Sequence, residues 1–147
     1  MALVQGKAFA LFADGFTPSG SFTTIWEVKA GDIPTFIDAI VLANDDVSGA
    51  PCEIQVVETD WTAGTDKTPS CLNGDEYTFS GDARYNATVG TTSKVIFQDI
   101  LYFGSRYSLR FPPGSFFVDA GSTFQVQVKV LSGTTYGNLY GTLLFSE

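Results

Sequence analysis

The stretch from Arg110 to Val130, RFPPGSFFVDAGSTFQVQVKV, decides how this chain folds. From Thr123 its residues alternate: Phe124, Val126, Val128 and Val130 point one way and Gln125, Gln127 and Lys129 the other, the period of a half-buried strand. Ahead of it, Pro113-Gly114 supplies the fixed φ and then the positive φ of a type II turn. Ala120-Gly121-Ser122 breaks the chain after Phe116-Phe117-Val118. The expected unit is a strand, a reversal and a second strand. Each of its valines and phenylalanines contributes about 1.5 to 3 kcal/mol on burial, and only if a second sheet covers that face. The stretch therefore asks for a β-sandwich.

The rest of the chain agrees. Thirteen Phe, six Tyr and fifteen Gly against one Met describe many short strands joined by tight turns. With 147 residues there is room for one well-buried core and not for two. The expectation is an all-β chain: a single antiparallel β-sandwich, jelly-roll-like, of about 8–10 short strands. Residues 1–6 read as an N-terminal arm and 7–147 as the sandwich domain.

Taken in order, Ala8 to Phe12 is a first strand and Asp14 to Ser21 a loop. Phe22 to Lys29 alternates, with Thr24, Trp26 and Val28 on one side and Ile25, Glu27 and Lys29 on the other. Thr35 to Asn44 follows Pro34, and its β-branched residues favour a strand over a short helix. Asn44 to Pro51 is a hairpin loop and Cys52 to Thr59 a strand, while Asp60 to Asp75 is the longest irregular loop and so the expected contacting surface. Tyr77 to Phe79 and Ala83 to Val89 are weak strands. Lys94 to Tyr102, dense in Val, Ile and Phe, calls for burial on both faces, one by the partner sheet and the other by a further subunit. Tyr107 to Phe111 and Asn138 to Phe145 complete the set.

Sixteen acidic against eight basic residues give a net charge of −8, which opposes attraction to nucleic acid or to an anionic membrane. No segment approaches the roughly 20 apolar residues that span a bilayer, and the start MALVQGKAFALF lacks the pattern of a secretory signal.

Histidine is absent, which excludes a Ser-His-Asp triad, a Cys-His dyad and every His-ligated metal. The acids sit mostly in turns: Asp14, Asp32, Asp45, Asp46, Asp60, Asp66, Asp75 and Asp82. Glu27 and Asp99 lie inside strands, but nothing in the sequence ties them into a glycosidase pair. A calcium loop at Asp45-Asp46 does not match EF-hand spacing. The Asn86-Ala87-Thr88 triplet matters only in a secreted eukaryotic protein. No cofactor, metal or catalytic residue is expected.

Trp26 alternates with core positions, whereas Trp61, beside Asp60 in the long loop, is the better candidate for contact, together with Asp66 and Leu72. That surface would meet another protein or a glycan. Cys52 and Cys71 could close a disulfide, which contributes about 3 kcal/mol in the chain-entropy account, or stay as two free thiols.

Two segments resemble the virion sandwiches of tailed phages. One is Val28-Lys29-Ala30-Gly31-Asp32, an apolar strand closing on Leu42-Ala43-Asn44, and Cys52 to Val57; the other is Phe111-Pro112-Pro113-Gly114 followed by Val118-Asp119-Ala120-Gly121-Ser122-Thr123. The resemblance implies a small structural protein of the particle: a capsid decoration (cement) protein, a head fibre or a tail accessory, often trimeric. Its partners would be copies of itself and the major capsid protein or another virion protein, and its location the virion, after synthesis in the host cytoplasm. The alternatives are a carbohydrate-binding module or receptor-binding tip, with Trp61 as platform, and a glycan-degrading enzyme.

Overall fold

The computed structural model describes residues 6–44, 51–73, 77–101, 106–131 and 137–147, and among them there is no helix. Within the described residues twelve strands follow one another: β1 (Ala8–Phe16), β2 (Thr23–Lys29), β3 (Thr35–Asn44), β4 (Cys52–Thr59), β5 (Thr65–Lys67), β6 (Ser70–Cys71), β7 (Asp82–Tyr85), β8 (Thr92–Leu101), β9 (Arg106–Arg110), β10 (Phe117–Val118), β11 (Thr123–Val130) and β12 (Leu139–Ser146).

They form two antiparallel sheets. One runs β10-β3-β12-β1-β6, with β9 also on β3, and the other β5-β7-β2-β11-β4-β8. The long strands pair in a nested order, β1 with β12, β2 with β11, β3 with β9 and β4 with β8. Four strands in the order β1-β12-β3-β9 thus face four in the order β2-β11-β4-β8, which is the rolled double Greek key of a jelly roll.

The core fills as the alternation requires. Phe124, Val126 and Val128 of β11 are fully buried, with Trp26, Val28, Ile54 and Val56 beside them in the same sheet. Leu139, Leu143 and Phe145 of β12 and Ile37, Ile40 and Leu42 of β3 supply the facing layer. Phe9, Phe79 and Phe145 pack with ring centroids 5.1–5.8 Å apart, and Phe97, Phe111 and Phe116 close the side between β8 and β9.

The opening stretch folds partly as read. Ser115 N–H donates to Pro112 C=O at 3.0 Å and Gly114 has φ +74°, the type II turn expected of Pro113-Gly114. The second reversal differs. Phe117 and Val118 pair with Phe36 and Thr35 of β3 in one sheet, whereas Thr123 begins β11 in the other. Residues 119–122 are therefore an arch between layers and not a hairpin, and Gly121, at φ +79°, donates its N–H to the carbonyls of Ala30 and Gly31.

Other expectations need correction. The strand count exceeds the eight to ten expected because β5, β6 and β10 are only two or three residues long. Residues 77–79 form no strand, and Phe79 joins the core instead. Asp14-Gly15, read as a loop, is a bulge inside β1, with Gly15 at φ +81°. In β2 the register shifts beside Ile25, so Thr24 lies opposite Gln127 on the outer face and Ile25 enters the core: these two exchange the faces read from simple alternation, while Trp26 and Val28 face the core and Glu27 the other side as read. Most of the hairpin loop after Asn44, the Asp45-Asp46 pair, Asp75, Tyr102 and nearly all of the N-terminal arm lie outside the described residues.

Candidate contact site

Gln125 and Gln127, which the period of β11 turns away from the core, are as buried as Val126 and Val128 beside them. What buries them is polar. Gln98 Nε2 donates to Gln55 Oε1 at 3.1 Å, Gln55 Nε2 to Gln127 Oε1 at 2.8 Å and Gln127 Nε2 to Gln125 Oε1 at 2.7 Å. Gln125 Nε2 then reaches Glu27 Oε2 at 2.7 Å, so a row of amides crosses β8, β4, β11 and β2.

Two loop segments close over the end of that row. Thr62 N–H donates to Glu27 Oε2 at 3.0 Å, and Thr62 Oγ1 stands 2.7 Å from both Glu27 Oε2 and the Thr88 carbonyl, able to donate to one at a time. Gly90 N–H donates to Gln125 Oε1 at 3.1 Å, and Gln125 Nε2 also lies 3.0 Å from the Thr88 carbonyl. Glu27 Oε1, on the same buried carboxylate, has no hydrogen-bond partner among the described residues. One oxygen thus gathers three donors while its twin stays bare, the arrangement in which loss of any donor is costly.

This clamp positions Trp61. The Arg84 guanidinium lies 4.1 Å from the centroid of the Trp61 ring, Arg84 Nε is 2.9 Å from Asp66 Oδ1, and Arg84 Nη1 donates to the Thr62 carbonyl. Arg84 sits between Glu27 of β2 and Asp66 of β5 in the strand register, which explains why it points out of this sheet face. Beside it opens a cleft of about 430 Å³ lined by Trp61, Asp66, Lys67, Pro69, Asp82 and Arg84. Its charges balance. Among the described residues no group of three or more His, Cys, Asp or Glu side chains is placed to hold a metal. The cleft can bind by stacking, hydrogen bonding and ion pairing, and one side of the Trp61 ring is already taken by Arg84.

Of the residues singled out from sequence, Trp61 and Asp66 come together. Asp60 does not join them: its Oδ1 accepts from Thr91 N–H at 2.8 Å and packs against Gly90, holding the loop end in place. Leu72 follows directly on β6 at the edge of the opposite sheet, where its N–H donates to the Ala8 carbonyl, and its side chain is exposed. The disulfide is not formed. Cys52 is buried in β4 of one sheet, Cys71 is half-buried in β6 of the other, and both are free. Sequence reading missed Arg84, whose signal was a lone basic residue in a short strand, and the Glu27–Gln125 pair, whose signal was a carboxylate alternating with core residues.

A second surface lies at the side of the sandwich where both sheets end. β8, expected to be covered by the partner sheet on one face and by a further subunit on the other, is an edge strand, exposed within one copy from Thr92 to Val95 and from Gln98 to Ile100, so the facing sheet covers less of it than expected. Val95, Ile100, Phe117 and Leu131 are all more than two-fifths exposed. Tyr107 OH donates to Asp99 Oδ2 at 2.9 Å, joining the two sheets across this side. Burial first and the Asp99 carboxylate second hold the Tyr107 phenol well above its ordinary range. Burial likewise pushes the Cys52 thiol up to about 12 and raises the Asp38 carboxyl, the latter against a Ser146 hydrogen bond that lowers it.

Fold and surfaces together define a jelly-roll module with polar and apolar contact faces. Comparisons with protein-family models, with curated proteins and with solved structures find no match. Among the described residues no helix is long and apolar enough to cross a membrane.

Proposed function

We propose that this chain is a non-enzymatic structural protein of a virion, a capsid decoration (cement) protein that stabilises a phage head through protein–protein contacts and works as a homo-oligomer. The observation that supports this most is the exposed side of the sandwich, where a ten-residue edge strand and the apolar side chains of Val95, Ile100 and Phe117 stand open in a single copy. Jelly rolls serve widely as viral capsid and lectin domains, an analogy of fold and not of site. A protein that binds only the assembled shell favours it by mass action. Particles lacking the chain are expected to release their genome at lower temperature than complete particles, and added chain to restore them. Equal stability of the two would contradict the role.

A second reading takes the Trp61 cleft as a glycan site on a carbohydrate-binding module or receptor-binding tip, supported by the exposed polar groups around a half-buried aromatic ring. Glycan-array binding that is lost in Trp61→Ala would favour it over the first reading.

A further inference from the structure

We propose that β8 pairs antiparallel with β8 of a second copy, in the register that sets Lys94 of each opposite Asp99 of the other. The proposal rests on reading the chain as a self-associating structural protein, and it names the surface.

β8 is bonded on one side only, to β4, among the described residues, so the groups along its outer edge form a template for another strand. It carries no proline and is long for an edge. Its charges select the partner. The strand reads Thr92-Ser93-Lys94-Val95-Ile96-Phe97-Gln98-Asp99-Ile100-Leu101, with one cation near its start and one anion near its end. A two-fold axis between Ile96 and Phe97 brings Lys94 and Asp99 together twice. Sliding the strands so that Lys94 meets Lys94, or Asp99 meets Asp99, would set like charges opposite each other.

Two residues five apart on a regular strand point to opposite faces, which would forbid this register. The register shift beside Ile96 removes the objection. Lys94 lies opposite Glu58 and Asp99 opposite Ile54, positions whose own partners in β11 are Phe124 and Val128, so both charges sit on the inner side. The next pair also matches in direction: Val95 and Gln98, opposite Val57 and Gln55, share the outer face. Asp99 accepts from Tyr107 OH and from Ile100 N–H, and a carboxylate retains sites for a further donor. Lys94 forms no ion pair within the copy among the described residues.

Such pairing is isologous and adds a two-fold axis. Light scattering at micromolar concentration should therefore give an even multiple of 15.8 kDa: a dimer, or a hexamer if the three-fold association implied by the virion resemblance also operates. Lys94→Glu and Asp99→Lys should each weaken association at least tenfold, and the double exchange should restore it, since the opposed charges are then swapped. Circular dichroism melting of each variant separates loss of pairing from loss of fold. A wild-type monomer or bare trimer overturns the proposal, as does a folded double variant that associates no better than the single ones. A wild-type monomer that still protects particles overturns the pairing and leaves the particle role standing, whereas an even oligomer that never binds particles does the reverse.

Discussion

Gln125 of β11 stands directly across from Glu27 of β2, with its Nε2 2.7 Å from Glu27 Oε2 and both side chains out of solvent. The pair is the point at which the sheet holds the loops that cover it. Replacing Gln125 by Ala strands Glu27, Gln127 and the Gly90 N–H together, and costs about 2 to 4 kcal/mol. Glu27→Ala falls in the same range. Glu27→Gln keeps an oxygen for the three donors and puts an uncharged group where Oε1 is bare, so it should change stability by less than about 1 kcal/mol. Denaturant unfolding checks the order, and Glu27→Gln as damaging as Glu27→Ala would refute it.

Arg84 couples that clamp to the cleft. Arg84→Ala removes a stacked cation, an ion pair to Asp66 and a donor to the Thr62 carbonyl. The expected loss is about 1 to 2 kcal/mol, most of it from the stacking and the carbonyl bond, since Asp66 is largely exposed. Acrylamide should quench Trp61 more strongly in the variant while the buried Trp26 stays protected. Arg84→Lys should restore the charge without restoring the stack. Unchanged quenching in Arg84→Ala would mean that Arg84 does not cover Trp61.

The two thiols should behave differently. A thiol pushed from 9.0 to about 12 has roughly a thousandfold less thiolate near pH 8, and Cys52 is also shielded. Iodoacetamide should label Cys71 in the native protein and reach Cys52 only on unfolding. Prior labelling of Cys52, or a Cys52–Cys71 bridge in non-reducing peptide maps, would contradict the fold here.

Asp38 gives a pH dependence of definite sign. Its carboxyl is raised in the folded chain by burial, so the folded state binds the proton more tightly than the unfolded one. Its contribution is fully present below the unfolded value of 3.8 and is lost as pH rises through the higher folded value. Asp38→Asn should therefore be more stable than the parent at pH 7, with the gap closing toward pH 3. A gap that widened on acidification would reverse the assignment.

How much of this was legible in the chain depends on how local each cause is. The core positions of β11 followed from alternation alone, and the Pro113-Gly114 turn from two residues. The buried glutamines did not, because their burial is decided by loops some 35 to 63 residues away, through Thr62, Thr88 and Gly90. β8 misled for a related reason: Val95, Ile96 and Ile100 look the same in a central strand and in an exposed edge, and only topology separates the two. The arch at Gly121 could not be told from a hairpin, since both need the same positive φ. Within the site, Trp61 and Asp66 were visible as loop residues, whereas the cation that joins them, Arg84, sits on a strand four residues long.

Electron cryomicroscopy of the native particle tests the account most directly. A two-layered jelly roll seated on the outside of the head shell, touching the shell protein through its sides, is the predicted result. A particle whose shell carries no such density, with this chain recovered alone and turning over a polysaccharide, would contradict it.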